Sequence, residues 1–230
     1  MMISDLTSFE VKIVFENTVS NGNFMPGYGF AALIYNHFTE NYLLFDTGEN
    51  KEALLHNLNQ FNVDVSEIQK VIISHNHIEN CGGLDGFYEE NPHIDIYVPE
   101  ENLITYKRKY KESNVHGVFD SMEIEPNIFT TGQIGNYIKE QALILQTEND
   151  DLVILVGCAH PGLEEFLYNI QNYRKNIKAI IGGFHSFRKY SYLEGIEIIG
   201  PCFCSEHIDE IQKKFPDNYK KIGAGTSISF

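Results

Sequence analysis

Residues 71–84 read VIISHNHIENCGGL. The short apolar run from Val71 to Ile73 predicts a buried strand, and it ends abruptly in two histidines that are spaced by one residue. Glu79 follows, and two glycines then allow a close turn into a helix. Because alternate residues of an irregular turn can point the same way, His75 and His77 are able to present ring nitrogens to one metal ion. The alternative is that both histidines are solvated loop residues, but the strand, loop and glycine context favours a metal loop.

Two later apolar runs also end in a glycine-containing turn that carries a histidine. Residues 152–162 read LVILVGCAHPG and place His160 just before a predicted helix. Residues 179–185 read AIIGGFH and end at His185. Core packing alone does not explain three strand ends with histidines, whereas ligands commonly collect at the carboxyl edge of a sheet. The sequence therefore predicts one shared metal site for the histidines of all three turns.

An early turn, Phe45-Asp46-Thr47-Gly48, follows another predicted strand. Two interpretations of Asp46 are equally supported. Its carboxylate either caps the turn or orients the metal loop through hydrogen bonds. An aspartic protease is disfavoured, because the chain has no second Asp-Thr-Gly to supply the partner carboxylate.

The chain alternates apolar runs with segments of helical spacing. No low-complexity tract, internal repeat or linker interrupts it, so we expect a single domain over residues 1–230. Two β-rich halves that each carry helices predict stacked sheets with helices outside, an α/β fold. Residues 111–137 are rich in Gly, Pro and Asn, which indicates loops, and a cover over the site is one interpretation. The predicted strands cover 11–15, 30–35, 42–45, 71–73, 94–98, 142–146, 152–156, 179–181, 201–204 and 227–230, and the predicted helices cover 51–61, 100–110, 163–173 and 208–215.

The charge of the chain limits its partners. Lys plus Arg number 17 against 32 for Asp plus Glu, and the formal net charge is -15 at pH 7. This charge repels a phosphate backbone and disfavours nucleic-acid binding. A small anionic substrate stays compatible, because a bound divalent cation outweighs the surface charge within its own pocket.

The cellular location is predicted from what the sequence does not contain. No stretch approaches the roughly 18 apolar residues of a membrane span, and residues 1–5 lack the basic flank and apolar run of a signal peptide. We therefore expect a cytoplasmic protein that does not bind membranes. The four cysteines, Cys81, Cys158, Cys202 and Cys204, form no disulfide-dense framework, and we expect reduced thiols.

The metal loop resembles that of the metallo-β-lactamase superfamily, which reads His-x-His-x-Asp-His after a buried strand and is followed by Gly-Gly. His75 and His77 match directly, whereas Glu79 replaces the usual Asp and Asn80 replaces the usual His. The resemblance implies a four-layer αβ/βα sandwich in which the first pair serves one metal and the second pair another. Asn80 offers only a neutral amide oxygen where an imidazole would bind zinc or iron more tightly. Asp46 stands where the superfamily has an Asp-rich turn that orients the loop.

The later turns resemble a narrower branch, which includes the dihydropterin-methyl ribofuranosylaminobenzene phosphate synthases. This branch has Gly-Cys-(Ser/Ala)-His-(Ala/Pro)-Gly and Gly-Gly-Phe-His, and the chain also ends in a Gly-rich segment at 223–226. The resemblance runs from about Asp46 to the terminus and implies that His160 and His185 are metal ligands. Cys158 lies near the place of a metal-bridging Asp in many relatives, so it is either a soft ligand or a buried structural thiol. Phe203 stands at the histidine of a Cys-His-Cys-like turn, which removes a further polar group.

Three histidine ligands and a water suit a catalytic metal site. We therefore expect a metal-dependent, hydrolase-like enzyme for a small molecule, and the resemblance implies a phosphate ester or a pterin-like compound. The expected cofactor is one or two divalent ions, zinc first, with iron or manganese as alternatives. Glu79 and Asp46 are the candidate catalytic residues, Glu79 as a proton acceptor or as the partner of His185 in a weaker second metal site. Asn80 and Phe203 together support the alternative, a non-catalytic small-molecule-binding protein with a degenerate metal site.

Overall fold

The computed structural model describes residues 7–171 and 173–230. Residues 1–5, which were predicted to contain no signal peptide, lie outside the described residues, as does position 172 of the predicted helix 163–173. The described chain contains two β-sheets that face each other and helices on their outer sides.

The first sheet has seven strands in the order β13-β1-β2-β3-β4-β5-β6. The strands are β1 (Phe9–Phe15), β2 (Ala31–Asn36), β3 (Asn41–Phe45), β4 (Ile68–Ile72), β5 (Asp95–Pro99), β6 (Asn114–Val118) and β13 (Ser227–Ser229). Strands β3 to β6 run parallel to one another. The turns that follow β3 and β4 therefore leave the same edge of the sheet.

The second sheet has six strands in the order β12-β11-β10-β9-β8-β7. The strands are β7 (Asp120–Glu125), β8 (Ile128–Gly132), β9 (Leu143–Gln146), β10 (Leu152–Val156), β11 (Ile177–Gly183) and β12 (Ile198–Cys202). Strands β10, β11 and β12 are parallel neighbours, so their three following turns also share one edge. Every residue of β10 is buried, which is why it appears in the sequence as a continuous apolar run rather than an alternating one.

Three apolar cores separate the layers. Phe45 and Leu155 belong to the core between the sheets, where residues of both sheets meet. A second core packs helices against the first sheet and a third packs helices against the second sheet. The helices are α1 (Lys51–Gln60), α2 (Ile78–Cys81), α3 (Leu84–Glu90), α4 (Leu103–Lys109), α5 (Leu163–Gln171) and α6 (Ile208–Lys214). The predicted four-layer αβ/βα sandwich is confirmed. Among the described residues, no helix is long and apolar enough to cross a membrane.

The prediction of a loop region over residues 111–137 is wrong. This segment contains β6, β7 and β8, which extend the edges of both sheets. Four of the six residues of β7 are exposed, because β7 is an edge strand, and its polar sequence gave no apolar signal. Gly117 interrupts the pattern of β6 because the Glu100 carboxylate occupies the place of a side chain there. Only the following residues, 134–138, line a cavity beside His160.

Candidate metal centre

Three histidine rings come together from two turns. One turn follows a strand of the first sheet and the other follows a strand of the second sheet. His75 and His77 lie in the turn after β4, and His160 lies in the turn after β10. The ring centroids are 4.6 Å apart for His75 and His77, and 4.7 Å apart for each of the other two pairs. The cluster therefore joins the first sheet to the second at their shared edge.

The ring of His75 is fully buried, and its Nε2 has no hydrogen-bond partner. Its Nδ1 lies 2.8 Å from the Ser74 Oγ, which itself lies 2.7 Å from Oδ2 of Asp46. When the Asp46 carboxyl is ionised, the Ser74 hydroxyl donates its single hydrogen to it. Ser74 then accepts from Nδ1–H of His75, and Nε2 is left with a lone pair. Burial, with a smaller effect of His77, lowers the pKa of His75 to about 3, so this ring is neutral at neutral pH.

The other two rings turn nitrogens towards each other. Nδ1 of His77 lies 3.1 Å from Nε2 of His160. Burial and the neighbouring His75 lower the pKa of His160 to about 4, so it too is neutral at neutral pH. A buried, unpartnered imidazole nitrogen is costly to leave unsatisfied. Three imidazoles that include such a nitrogen fit a divalent metal ion of the zinc type.

Asp46 orients the metal loop and does not contact a ring directly. It is fully buried, and its carboxylate accepts hydrogen bonds from the Ser74 N–H, the Ser74 hydroxyl and Nδ2 of Asn80. Its backbone φ is 58°, a left-handed value that Asp tolerates better than most residues. Burial raises the pKa of Asp46 to about 8, against the opposing effect of these hydrogen bonds. Of the two interpretations of its role, the contacts favour orientation of the loop.

Asn80 stands where the metal loop of the metallo-β-lactamase superfamily has a histidine. Its Nδ2 donates to Asp46 at 2.7 Å, and its backbone carbonyl accepts from the Thr47 N–H at 2.7 Å. Its Oδ1 is buried without a hydrogen-bond partner. The Asn80 side chain thus holds Asp46 through Nδ2, while its Oδ1 remains available as a metal ligand.

The remaining predicted residues lie at the margin of the cluster. Oε1 of Glu79 is 3.7 Å from Nδ1 of His77, and the Glu79 side chain is 22% exposed. The ring of His185, in the turn after β11, lies 5.3 Å from that of His160 between centroids. Glu79 and His185 are therefore placed beside two different rings of the cluster.

Glu140 holds the His160 turn and was not anticipated from the sequence. Its fully buried carboxylate accepts three consecutive backbone hydrogen bonds, from the N–H groups of Cys158, Ala159 and His160, at 2.8, 2.9 and 2.9 Å. Ala159 adopts a left-handed φ of 56°, so the turn is an irregular one that needs such support. The signal in the sequence was an acidic residue three positions before the apolar strand β9.

Two cysteines lie next to the histidines. Sγ of Cys158 and the ligand nitrogens of His75 and His160 all lie within 4.8 Å of one another. Sγ of Cys158 also lies 3.0 Å from Sγ of Cys204. The neighbouring Phe203 is buried and packs edge-on against the Tyr28 ring, with 5.1 Å between centroids. Phe203 therefore contributes an apolar wall where the related turn has a histidine.

Two cavities open beside His160. The larger has a volume of about 540 Å³ and is lined by residues 134–138 and by His160, Pro161 and Glu165. The smaller has a volume of about 250 Å³, and its lining includes His160, His185, Arg188 and Lys189. The larger volume lies within the roughly 300 to 1,000 Å³ of small-molecule sites, and the smaller lies just below that range. The lining of the smaller cavity also includes Glu164, which pairs with Lys189, so Arg188 is its one cation without a carboxylate partner in the same lining.

Comparisons with known proteins agree on one family. The sequence model described as Metallo-beta-lactamase superfamily matches residues 25–164. The 7,8-dihydropterin-6-methyl-4-(beta-D-ribofuranosyl)-aminobenzene-5'-phosphate synthase of Methanocaldococcus jannaschii is 25% identical in an alignment that covers 82% of this chain and 84% of the synthase.

Solved structures show the same fold. Tm1679, described as a metal-dependent hydrolase of the beta-lactamase superfamily, superposes with a TM-score of 0.79 and 23% identity over 96% of this chain and 99% of Tm1679. The metallo-beta-lactamase fold protein YhfI from Bacillus subtilis superposes with a TM-score of 0.72 and 12% identity over 96% of this chain and 99% of YhfI. At these identities the likeness concerns the fold alone.

Proposed function

The chain belongs to the Metallo-beta-lactamase superfamily, and we propose that it is a metal-dependent enzyme that hydrolyses a small molecule. The observation that carries this proposal is the buried ring of His75, whose unpartnered Nε2 lies among two further imidazoles. The relative from Methanocaldococcus jannaschii has a name that contains both a dihydropterin and a phosphate. This name supports a phosphate ester or a pterin-like compound as the substrate class.

His75, His77 and His160 would hold the ion, with zinc as the first candidate and iron or manganese as alternatives. When bound, such an ion activates water at neutral pH and polarises an oxygen of the substrate. Cys158 lies close enough to join the ligands, and a thiolate there would favour a soft metal.

The surrounding side chains orient the ligands and transfer protons. Asp46 fixes the tautomer of His75 through the Ser74 hydroxyl, and a cation at the histidines favours the charged form of Asp46. Glu79 lies partly exposed beside His77, and in this proposal it would accept a proton from water. Arg188 lines the smaller cavity and is a positive group for an anionic substrate, whereas Lys189 is already paired with Glu164 of the same lining, Nζ to Oε1 at 2.9 Å.

We propose one firmly held ion and a weaker second position. Glu79 and His185 flank the cluster, and Oδ1 of Asn80 is the additional free oxygen. The hydrogen bond from Nδ2 to Asp46 leaves Oδ1 as the one ligand atom of Asn80, and a neutral amide oxygen binds zinc more weakly than an imidazole does.

Metal analysis tests the proposal. Protein purified without added metal and then reconstituted with zinc is expected to retain about one ion per chain after gel filtration. The variant His75→Ala is expected to retain less than about a tenth of that amount, because it lacks the buried nitrogen. His93→Ala is the matched control, since His93 is exposed and lies in another loop. Absence of metal from reconstituted wild-type protein would refute the metal-dependent enzyme.

Turnover then separates the enzyme from the rival function. Asn80 and Phe203 favour a binding protein with a degenerate site, because both lack the imidazoles of the related turns. The enzyme is expected to hydrolyse at least one of a phosphodiester, a phosphomonoester and a lactone model substrate, and a chelator is expected to stop it. A metal-loaded protein that turns over none of the three would favour the binding protein.

Replacing Asp46 by asparagine is expected to weaken zinc binding by about 10- to 100-fold. The new amide N–H would donate to the Ser74 hydroxyl, which would turn its own hydrogen to Nδ1 of His75 and move the ring proton to Nε2. Zinc affinity is measured by competition with a chromophoric chelator, and the tautomer by nitrogen NMR of the ring. Asp209→Asn, a substitution at an exposed site in α6, is the control. Unchanged zinc affinity in Asp46→Asn would show that the Asp46–Ser74–His75 chain does not set the tautomer.

A further inference from the structure

Cys158 and Cys204 form a pair of thiols to which the proposed reaction assigns no proton-transfer or nucleophilic step. Cys158 follows β10 and Cys204 follows β12, and the two Sγ atoms are 3.0 Å apart. Both are free cysteines. Sγ of Cys204 also lies 3.6 Å from the carbonyl oxygen of Cys158.

The two cysteines meet across the strand that separates them in the sheet. Strand β11 lies between β10 and β12, and it ends in Gly183. A Cβ atom at Gly183 would lie 2.5 Å from Sγ of Cys204 and 3.1 Å from Cα of Cys158. The first distance is too short for a real side chain, and the second is tighter than most real contacts of a Cβ atom. The glycine at this position therefore clears the path along which the two thiols approach each other.

The two thiols differ in access to solvent. Cys158 is buried, with 2% of its surface exposed, whereas Cys204 is partly exposed. A dissolved oxidant therefore reaches Cys204 first. Cys158 then stands in contact with the oxidised sulfur as the residue that resolves it.

We propose that Cys158 and Cys204 are a modification site that closes reversibly to a disulfide when a hydroperoxide reaches it. Hydrogen peroxide transfers one oxygen to the Cys204 thiol, which becomes a sulfenic acid while the peroxide is reduced to water. The sulfur of Cys158 attacks this sulfur, and the hydroxyl leaves with the Cys158 proton as a second water. The two cysteines lose two electrons and two protons in total. An external dithiol reverses the step by thiol–disulfide exchange.

The other two cysteines serve as internal references. Cys202 is buried in the core between the sheets. Cys81 lies in α2, and its Sγ is 3.8 Å from Oδ1 of Asn76. The proposed disulfide therefore has defined competitors, and each competing pair gives a different crosslinked peptide.

Thiol counting with peptide mapping tests the proposal on the whole protein. Reduced protein, freed of reductant under anaerobic conditions, is treated with hydrogen peroxide, denatured and labelled with N-ethylmaleimide. The number of labels is expected to fall from four to two, with loss of two hydrogens, and dithiothreitol is expected to restore four. Trypsin followed by chymotrypsin, which cleaves after Phe203, assigns the link to Cys204 rather than Cys202.

Variants sharpen the result. Cys204→Ser at the partly exposed position is expected to leave three labelled thiols after peroxide, and Cys81→Ser is expected still to lose two labels. The wild-type peptide map keeps the test valid should Cys158→Ser fail to fold. Four labels after peroxide, a Cys204 that gains two oxygens, or a link through Cys81 or Cys202 would overturn the proposal. None of these measurements uses activity, so their outcome is independent of the metal-dependent hydrolysis.

Discussion

Replacing His160 by alanine is expected to lower kcat/KM for the best model substrate at least about 1,000-fold, which corresponds to roughly 4 kcal/mol of transition-state stabilisation. His160 contributes the only imidazole that the second sheet supplies to the three-ring cluster within the described residues. Without it, two imidazoles from one loop remain, and they are a poor set for a catalytic divalent ion. The loss is expected to persist at saturating zinc, because the geometry of the site and not only its affinity is changed.

The comparison uses steady-state kinetics of wild-type protein, His160→Ala and His116→Ala, each with zinc content and thermal unfolding recorded. His116 is the matched histidine control, because its ring stacks on Tyr97 and bonds to Asp95 away from the cluster. A His160→Ala protein that folds and keeps more than about a tenth of the wild-type kcat/KM would mean that hydrolysis takes place elsewhere.

Replacing Glu140 by glutamine is expected to lower the free energy of unfolding of the metal-free protein by about 3 to 5 kcal/mol. The carboxylate accepts three backbone N–H groups, whereas a glutamine has one acceptor oxygen. Its amide nitrogen would face a backbone N–H as a second donor, and both would be buried without a partner. The turn that carries His160 would also loosen, so we expect weaker zinc binding as a second effect.

Urea unfolding in the presence of a chelator measures the first effect without a contribution from metal binding. Glu165→Gln is the control, because Glu165 is an exposed acid near the same turn, and we expect a change within about 0.5 kcal/mol. A similarly small change in Glu140→Gln would show that the three backbone hydrogen bonds contribute little to holding the turn.

The sequence predicts the parts of the site that depend on local pattern. Strand β10 is buried on both faces, and the apolar residues of β4 and β11 are mostly buried. Such strands appear in the sequence as continuous apolar runs, and the turns that follow them can be recognised without a structure. The structure brings the histidines of the turns after β4 and β10 together. Edge strand β7 escaped prediction because most of its side chains face solvent and carry no apolar period.

The supporting residues could be predicted less well. Glu140 binds backbone N–H groups 18 to 20 residues away, and a backbone donor leaves no trace in the choice of amino acid. Asn80 was compared with a histidine ligand of the resembled family, and its hydrogen bond to Asp46 depends on a contact between residues 34 positions apart. Only the fold shows such pairs.

The three histidines of the cluster lie in turns that follow strands of both sheets, so an ion bound there would crosslink the two sheets of the sandwich. The free energy of metal binding would therefore also stabilise the folded protein against separation of the two sheets. At a free zinc concentration 100 times the dissociation constant, this linkage amounts to about 2.7 kcal/mol. In a cell that is starved of the metal, the proposed enzyme would lose stability together with activity. Its rate of degradation by proteases would then rise as the zinc concentration falls.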